Sequence, residues 1–137
     1  MIVADTGAIL ALLDRADRYH DTVRDAYEEN PGAWILPWAI LPEVDYLVST
    51  QLGLRAQDLF LSDLDAGAFT VEWGRETDLT AASRLCGRYP DLGLGLVDAV
   101  VISTAERLNA SAIATLDLRH FGAVKIEGSP KLLPRDL

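Results

Sequence analysis

Residues 1–13, MIVADTGAILALL, form an apolar run that contains one acidic residue, Asp5. The stretch from Ile2 to Ala4 predicts a short buried strand, and the spacing from Thr6 to Leu13 predicts a helix directly after it. This arrangement is typical of an α/β fold. An ionised carboxylate in an apolar setting costs several kcal/mol unless it is partnered. Asp5 therefore needs backbone donors, a cation or a polar site.

Three more acidic residues lie inside apolar runs. They are Glu43 in WAILPEVDYLV, Asp98 in LGLVDAVVIS and Asp117 in SAIATLDL. Each has a structural explanation on its own, because Asp and Glu are favoured in the first turn of a helix and Asp is common in turns. Asp5 could likewise cap the helix that starts at Thr6. Four such positions in one small domain suggest a shared cation.

Length and composition exclude several classes of protein. The chain has 137 residues, about the size of one domain, and its single Cys86 excludes an internal disulfide and a cysteine zinc site. No apolar run approaches the roughly 20 residues of a membrane span, and Asp5 stands where a secretory signal would carry basic residues. We expect residues 1–137 to form one cytoplasmic domain without a membrane segment.

The net charge is −9, from 12 basic and 21 acidic residues. Such a balance argues against the broad basic surface of a typical nucleic-acid-binding domain. It does not exclude a nucleic-acid substrate, because a bound divalent metal would reverse the sign of the potential where a phosphate lands. Ten of the 12 basic residues are arginines, which bind phosphate as a planar fork. Any phosphate-binding surface must be small and arginine-based.

Strand-like and helix-like segments alternate from end to end. Helices are predicted at residues 6–13, 17–29, 42–52, 55–65, 77–89 and 97–108. Strands are predicted at residues 2–4, 34–36, 69–72, 112–115 and 124–126. Helical crossovers join parallel strands and place helices on both faces of the sheet. The prediction is an α/β fold with a central, mostly parallel sheet of four to five strands flanked by helices.

This topology predicts that the four acidic residues converge. Ligands of such sheets bind beyond the carboxyl ends of the strands, where the strand order reverses. Asp5 and Asp117 each follow a strand, and Glu43 and Asp98 lie in first turns of helices that begin at the same edge. Clustered carboxylates repel one another unless a divalent cation holds them. With no accompanying cysteine and no well-placed histidine, the donors fit Mg²⁺ or Mn²⁺, the usual cations of phosphoryl chemistry.

Four motifs then occur in an order typical of one family. They are ADTGAILALLD at 4–14, LPEVDYLV at 41–48, GLVDAVVISTAERL at 95–108 and IATLDLRHF at 113–121. With this set the chain resembles PIN-domain ribonucleases, and among them the VapC-type toxins of type II toxin–antitoxin pairs. The resemblance implies a PIN-like three-layer fold. Its acidic tetrad falls on Asp5, Glu43, Asp98 and Asp117.

The resemblance also implies an activity and partners. The expected protein is a Mg²⁺- or Mn²⁺-dependent endoribonuclease that cuts transfer or ribosomal RNA and leaves 5′-phosphate and 3′-hydroxyl ends. Thr6 and Thr115 match the small hydroxyl residues beside the first and last acids, and Arg119 is expected to contact a phosphate. Leu118 departs from the family, where a second basic residue is frequent. A VapB-type antitoxin and a homodimer are the implied assemblies.

Neighbouring residues leave some choices open. Asp45 lies about 200° around a helix from Glu43, so both cannot face one metal, and the resemblance favours Glu43. A solvated or structural role is favoured for His120 over a general base. Two other functions remain as alternatives: a catalytically inactive PIN-like binding module, and a phosphoaspartyl-type phosphatase. The phosphatase would need an Asp-x-Asp sequence, whereas Asp5 is followed by Thr6 and Gly7.

Overall fold

Five short strands and seven α-helices alternate along the chain in the computed structural model, which describes residues 1–137. In order they are β1 Ile2–Ala4, α1 Thr6–Leu13, α2 His20–Glu29, β2 Trp34–Pro37, α3 Leu41–Gln51, α4 Leu54–Asp65, β3 Thr70–Glu72, α5 Glu76–Arg88, α6 Leu96–Arg107, β4 Ala112–Ala114, α7 Leu118–Phe121 and β5 Lys131–Leu133. Short 3₁₀ turns precede β2, α3 and α6. No helix is both long and apolar enough to cross a membrane.

All five strands pair in parallel, in the order β3-β2-β1-β4-β5. Ile2 of β1 pairs with Trp34 on one side and with Ala112 on the other. The chain therefore builds outward from β1 to β3 and then returns to place β4 on the opposite side of β1. The reversal of strand order lies between β1 and β4. The predicted parallel α/β sheet is confirmed.

The helices form two groups around this sheet. Helices α1, α2, α3 and α4 pack against one another, whereas α5 pairs with α6, and α6 lies against β1, β2 and β4. The crossovers from β1 to β3 run in one direction and the crossover from β3 to β4 runs back. Because such crossovers are right-handed, the two groups cover opposite faces of the sheet. The result is the three-layer fold that the sequence predicts.

Helix α6 is the most deeply embedded helix. Its residues from Ala99 to Ala105 are all buried, so the helix is surrounded by protein on every side there. The central strands are equally buried, with Val3, Ala4 and Ile113 inaccessible to solvent. The packed core thus fixes both the carboxyl ends of β1 and β4 and the position of α6.

The last predicted strand is wrong. Residues 124–126 are irregular, and the fifth strand is Lys131–Leu133, paired with Ala112–Ala114. A parallel strand must return to the amino end of its neighbour, and the chain leaves α7 at the other end. The segment before Lys131 makes this return. Val124 and Ile126 are buried in the core, which explains why their alternation resembles a strand.

An ion cluster anchors the C-terminal end of α6. Arg107 Nε donates to Asp78 Oδ1 at 2.7 Å, and Arg107 Nη2 donates to Asp78 Oδ2 at 3.0 Å and to Glu72 Oε1 at 2.8 Å. The hydrogen bond from Arg107 holds the pKa of Glu72 below its ordinary value. This cluster ties α6 to α5 and β3, at the opposite end of α6 from Asp98.

Candidate metal centre

Asp5 lies at the carboxyl end of β1, where the strand order reverses. Its backbone N–H donates to Ala114 O at 2.8 Å, which joins it to β4. Its carboxylate accepts the Thr6 N–H at Oδ1, 2.8 Å away, and the Thr115 hydroxyl at Oδ2, 3.0 Å away. Asp5 therefore caps α1, and it is also only 6% exposed. The structural explanation thus applies to Asp5, the first acid of the predicted tetrad.

Thr115 links the first and last acids of the predicted tetrad. Besides donating to Asp5, its Oγ1 accepts the backbone N–H of Asp117 at 3.0 Å. Asp117 in turn caps the short helix α7, because its Oδ1 accepts the N–H of His120 at 3.1 Å. One buried hydroxyl thus sets the spacing between the segments that follow β1 and β4.

His120 lies beside two of the acids. Its Nδ1 is 2.7 Å from Asp117 Oδ2 and 3.7 Å from Asp98 Oδ2. The sequence analysis favoured a solvated or structural role for His120, and it did not predict these contacts with Asp117 and Asp98. Residues three apart share a face of a helical turn, so the spacing between Asp117 and His120 was the available signal.

All four predicted acids line one open cleft of about 420 Å³. Asp98 enters it from the first turn of α6 and Glu43 from the first turn of α3. The remaining lining residues are small or apolar: Thr6, Gly7, Leu10, Leu47 and Leu116. Arg119 is exposed on α7 and does not line the cleft.

Burial differs among the four acids. Only Asp5 is fully buried; Asp98 and Asp117 are half-buried and Glu43 is exposed. A position inside an apolar run therefore does not make the side chain itself buried, since three of the four acids reach solvent. The apolar neighbours of Glu43 face the other way, since Val44 and Val48 supply the buried side of α3.

Asp45 has a different environment from Glu43. Its Oδ1 accepts a hydrogen bond from Gln57 Nε2 of α4 at 2.9 Å, and it does not line the cleft. The two acids of α3 thus point to different neighbours, as the helical spacing requires. Asp45 ties α3 to α4, whereas Glu43 reaches the cleft.

The carboxylates influence one another's protonation. Burial, reinforced by the charges of Asp98 and Asp117, raises the pKa of Asp5 to about 6. Burial also raises the pKa of Asp98. Burial acts in the same direction on Asp117, but hydrogen bonds from His120 outweigh it, so the pKa of Asp117 is lowered. A cluster that holds negative charge at such cost is suited to a cation.

The donors fit a hard divalent metal. The cleft offers carboxylate oxygens, and the buried Thr6 Oγ1 beside them has no hydrogen-bond partner. Asp98, Asp117 and His120 each present a possible ligand atom within 4.8 Å of the others. Oxygen-rich sites of this kind suit Mg²⁺ or Mn²⁺.

Replacing Asp5 with Asn should stabilise the metal-free fold at pH 8. Because the pKa of Asp5 is raised to about 6 in the folded protein, the fold favours the protonated carboxyl. The stability that this group contributes is fully present below its unfolded pKa and is lost as the pH rises through 6, where the carboxyl ionises. A shift of about two units corresponds to about 3 kcal/mol. Asn can still accept from Thr6 and bond to Thr115, so we expect a gain of about 1 to 3 kcal/mol in urea unfolding with EDTA.

The gain should shrink at pH 4, where Asp5 of the wild type is protonated in the folded state. A variant that is less stable than the wild type at pH 8 would show that the Asp5 charge is satisfied by its hydrogen bonds alone.

Comparison with known proteins agrees with the fold. The family model described as PIN domain matches residues 2–126. Ribonuclease VapC26 of Mycobacterium tuberculosis is 32% identical over 124 residues, which cover 90% of this chain and 92% of that protein. The chain belongs to the PIN-domain family. Within it, the chain is of the VapC type.

Two solved structures share the fold at lower identity. The crystal structure of Mycobacterium tuberculosis VapC20, a toxin that cleaves the sarcin-ricin loop, aligns with a TM-score of 0.78 and 20% identity over 92% of this chain and 98% of that one. DNA-bound VapBC from Salmonella typhimurium aligns with a TM-score of 0.72 and 14% identity, over 96% and 95% of the two chains.

Proposed function

We propose that the protein is a Mg²⁺- or Mn²⁺-dependent endoribonuclease and the toxin of a VapBC toxin–antitoxin pair, acting as one domain of residues 1–137. The observation that carries the proposal is the convergence of Asp5, Glu43, Asp98 and Asp117 on one cleft at the reversal of strand order. The membership of the VapC type and the ribonuclease name of a 32% identical relative support it.

The four carboxylates would hold the metal, and Thr6 and Thr115 would support it. Thr115 and the Thr6 N–H keep the Asp5 carboxylate in one orientation. Metal binding would therefore require little further ordering of this side chain. The bound cation would activate a water and neutralise charge on the phosphate. Leu10, Leu47 and Leu116 form an apolar wall, which strengthens electrostatic interactions by excluding water from one side.

The reaction would be hydrolysis of an RNA phosphodiester. The water oxygen bonds to phosphorus, the bond from phosphorus to the 3′-oxygen breaks, and the 3′-oxygen takes up a proton. The products are a 5′-phosphate and a 3′-hydroxyl. Arg119, exposed on α7 two residues after Asp117, is proposed to contact a flanking phosphate as a fork-shaped donor. Transfer RNA or ribosomal RNA is the proposed substrate.

Two protein partners are proposed. The first is a VapB-type antitoxin, supported by the VapBC complexes from Salmonella typhimurium and Rickettsia felis that share the fold. The second is another copy of this chain. Exposed Trp38, Trp73, Leu79 and Leu96 line one groove, and exposed apolar surface of this kind is typical of protein interfaces. Light scattering of the chain alone should report a dimer, and a monomer at high concentration would contradict it.

Mn²⁺ should bind the purified protein and stabilise it. A ligand that binds only the folded state at 100 times its dissociation constant adds about 2.7 kcal/mol, which we expect as a rise of several degrees in melting temperature. Asp5→Asn should abolish most of this rise, because the variant folds but lacks one carboxylate of the cleft. The measurement is isothermal titration with Mn²⁺, together with thermal unfolding with and without EDTA.

Absence of Mn²⁺ binding in the wild type would contradict the proposal and favour the alternative of a catalytically inactive binding module. The phosphatase alternative has no support from the site, since neither lysine of the chain lines the cleft.

A further inference from the structure

His120 forms hydrogen bonds with both oxygens of the Asp117 carboxylate, and the proposed function leaves this histidine without a role. Its backbone N–H donates to Asp117 Oδ1 at 3.1 Å, and its Nδ1 lies 2.7 Å from Asp117 Oδ2. The same Nδ1 is 3.7 Å from Asp98 Oδ2. The imidazole therefore lies between two carboxylates of the cleft.

The direction of the ring hydrogen bond follows from its partners. Ionised carboxylates only accept hydrogen bonds, and both groups that face Nδ1 are carboxylates. Nδ1 must therefore carry the hydrogen and donate it to Asp117. The second ring nitrogen, Nε2, has no hydrogen-bond partner within the protein.

We propose that His120 is a positioning residue of the metal centre, whose Nδ1–H holds the Asp117 carboxylate facing Asp98. Asp5 has Thr6 and Thr115 as orienting donors. Asp117 precedes the four-residue helix α7 and its side chain is 36% exposed, so without the imidazole only the backbone N–H of residue 120 holds the carboxylate, at Oδ1, and Oδ2 is left to solvent. His120 thus does for Asp117 what Thr115 does for Asp5. The inference rests on the proposed function, since it assumes that Asp117 serves the metal.

The geometry predicts weak binding for two substitutions of His120 and recovery for a third. Loss of a hydrogen-bond partner that orients a metal ligand typically lowers metal affinity about 10- to 100-fold, so His120→Ala should weaken Mn²⁺ binding by that factor. In His120→Asn the amide nitrogen can take the position of Nδ1 and should restore affinity to within a few-fold. In His120→Gln the amide lies nearer the position of Nε2, and binding should stay as weak as in His120→Ala.

The experiment is isothermal titration of the full chain with Mn²⁺, with circular dichroism of each metal-free variant to show that it is folded. Leu118→Ala is the matched control, because Leu118 is an exposed residue of the same short helix and does not line the cleft. This control should bind Mn²⁺ with wild-type affinity.

Two results would overturn the role of His120 while leaving the proposed function in place. Wild-type or tighter Mn²⁺ binding by His120→Ala would mean that the imidazole merely competes with the cation for Asp117. Binding by His120→Asn as weak as that of His120→Ala would mean that the imidazole contacts the cation itself. Failure of the wild type to bind Mn²⁺ would instead contradict the proposed function, and the role of His120 with it.

Discussion

Replacing Asp98 with Asn is expected to lower metal-dependent RNA cleavage by at least about 1,000-fold while leaving the protein folded. Asp98 enters the cleft from the first turn of α6, and its Oδ2 lies 3.7 Å from His120 Nδ1. The substitution keeps the shape of the side chain and removes its charge. A metal supplies several kcal/mol of charge stabilisation in the transition state, and a loss of about 4 kcal/mol corresponds to about a thousandfold.

The fold should survive because the charge of Asp98 opposes folding in the metal-free chain. Burial raises the pKa of this carboxyl, so neutralising it removes a cost. Asp45→Asn is the matched control, since Asp45 contacts Gln57 outside the cleft and Asn can still accept that hydrogen bond. The control should cleave RNA at the wild-type rate. Full metal-dependent cleavage by Asp98→Asn would mean that the site is wrongly assigned.

Replacing Arg107 with Met is expected to destabilise the fold by about 3 kcal/mol. The Arg107 side chain is 18% exposed and that of Asp78 is 9% exposed, so the ion cluster is largely removed from water. Without the guanidinium, Asp78 and Glu72 face each other with no cation between them. Removing one partner of a buried pair typically costs about 3 to 5 kcal/mol, and the remaining exposure of the cluster lowers the expected value. Urea unfolding at pH 7 measures it.

The pH dependence distinguishes the cluster from simple loss of packing. Arg107 holds the pKa of Glu72 below its ordinary value, so in the wild type this contribution is present at neutral pH and is lost as the pH falls through the folded pKa. In Arg107→Met, acid instead relieves the repulsion between the two carboxylates. The difference in unfolding free energy between the wild type and Arg107→Met should therefore become smaller toward pH 4.

Arg88→Met is the control for this prediction, because Arg88 is an exposed arginine near the end of α5 without a salt bridge. It should change stability by no more than about 0.5 kcal/mol. A cost below 1 kcal/mol for Arg107→Met would put the cluster in the range of surface ion pairs.

The sequence predicts most of the fold because its strands and helices follow the hydrophobic pattern closely. The strand and helix around Asp5 lie where MIVADTGAILALL predicts them. The fifth strand was missed for a tertiary reason: Lys131–Leu133 becomes a strand by pairing with β4, whereas Val124 and Ile126 are buried in a crossover. Strand formation depends on such neighbours more than on local preference.

The candidate site was predicted from topology, and its details depend on contacts that topology does not specify. Parallel pairing and helix starts indicate that the four acids meet at one edge, but they do not reveal which acids are buried. Glu43 proved exposed and Asp5 buried, since the difference arises from how α3 and β1 pack. The contact between His120 and Asp117 was not predicted because α7 has only four residues, too few for a periodic pattern to predict a helical turn, and the three-residue spacing indicates a contact only within such a turn.

The central claim is that the four carboxylates form a metal-dependent site for RNA hydrolysis. Its most direct test is incubation of the purified chain with total RNA in EDTA and then in excess Mg²⁺, with ligation-based mapping of the ends. We predict no cleavage in EDTA, discrete cleavage after Mg²⁺ is added, and 5′-phosphate ends. Cleavage that persists in EDTA, or products that carry 5′-hydroxyl ends, would contradict the claim.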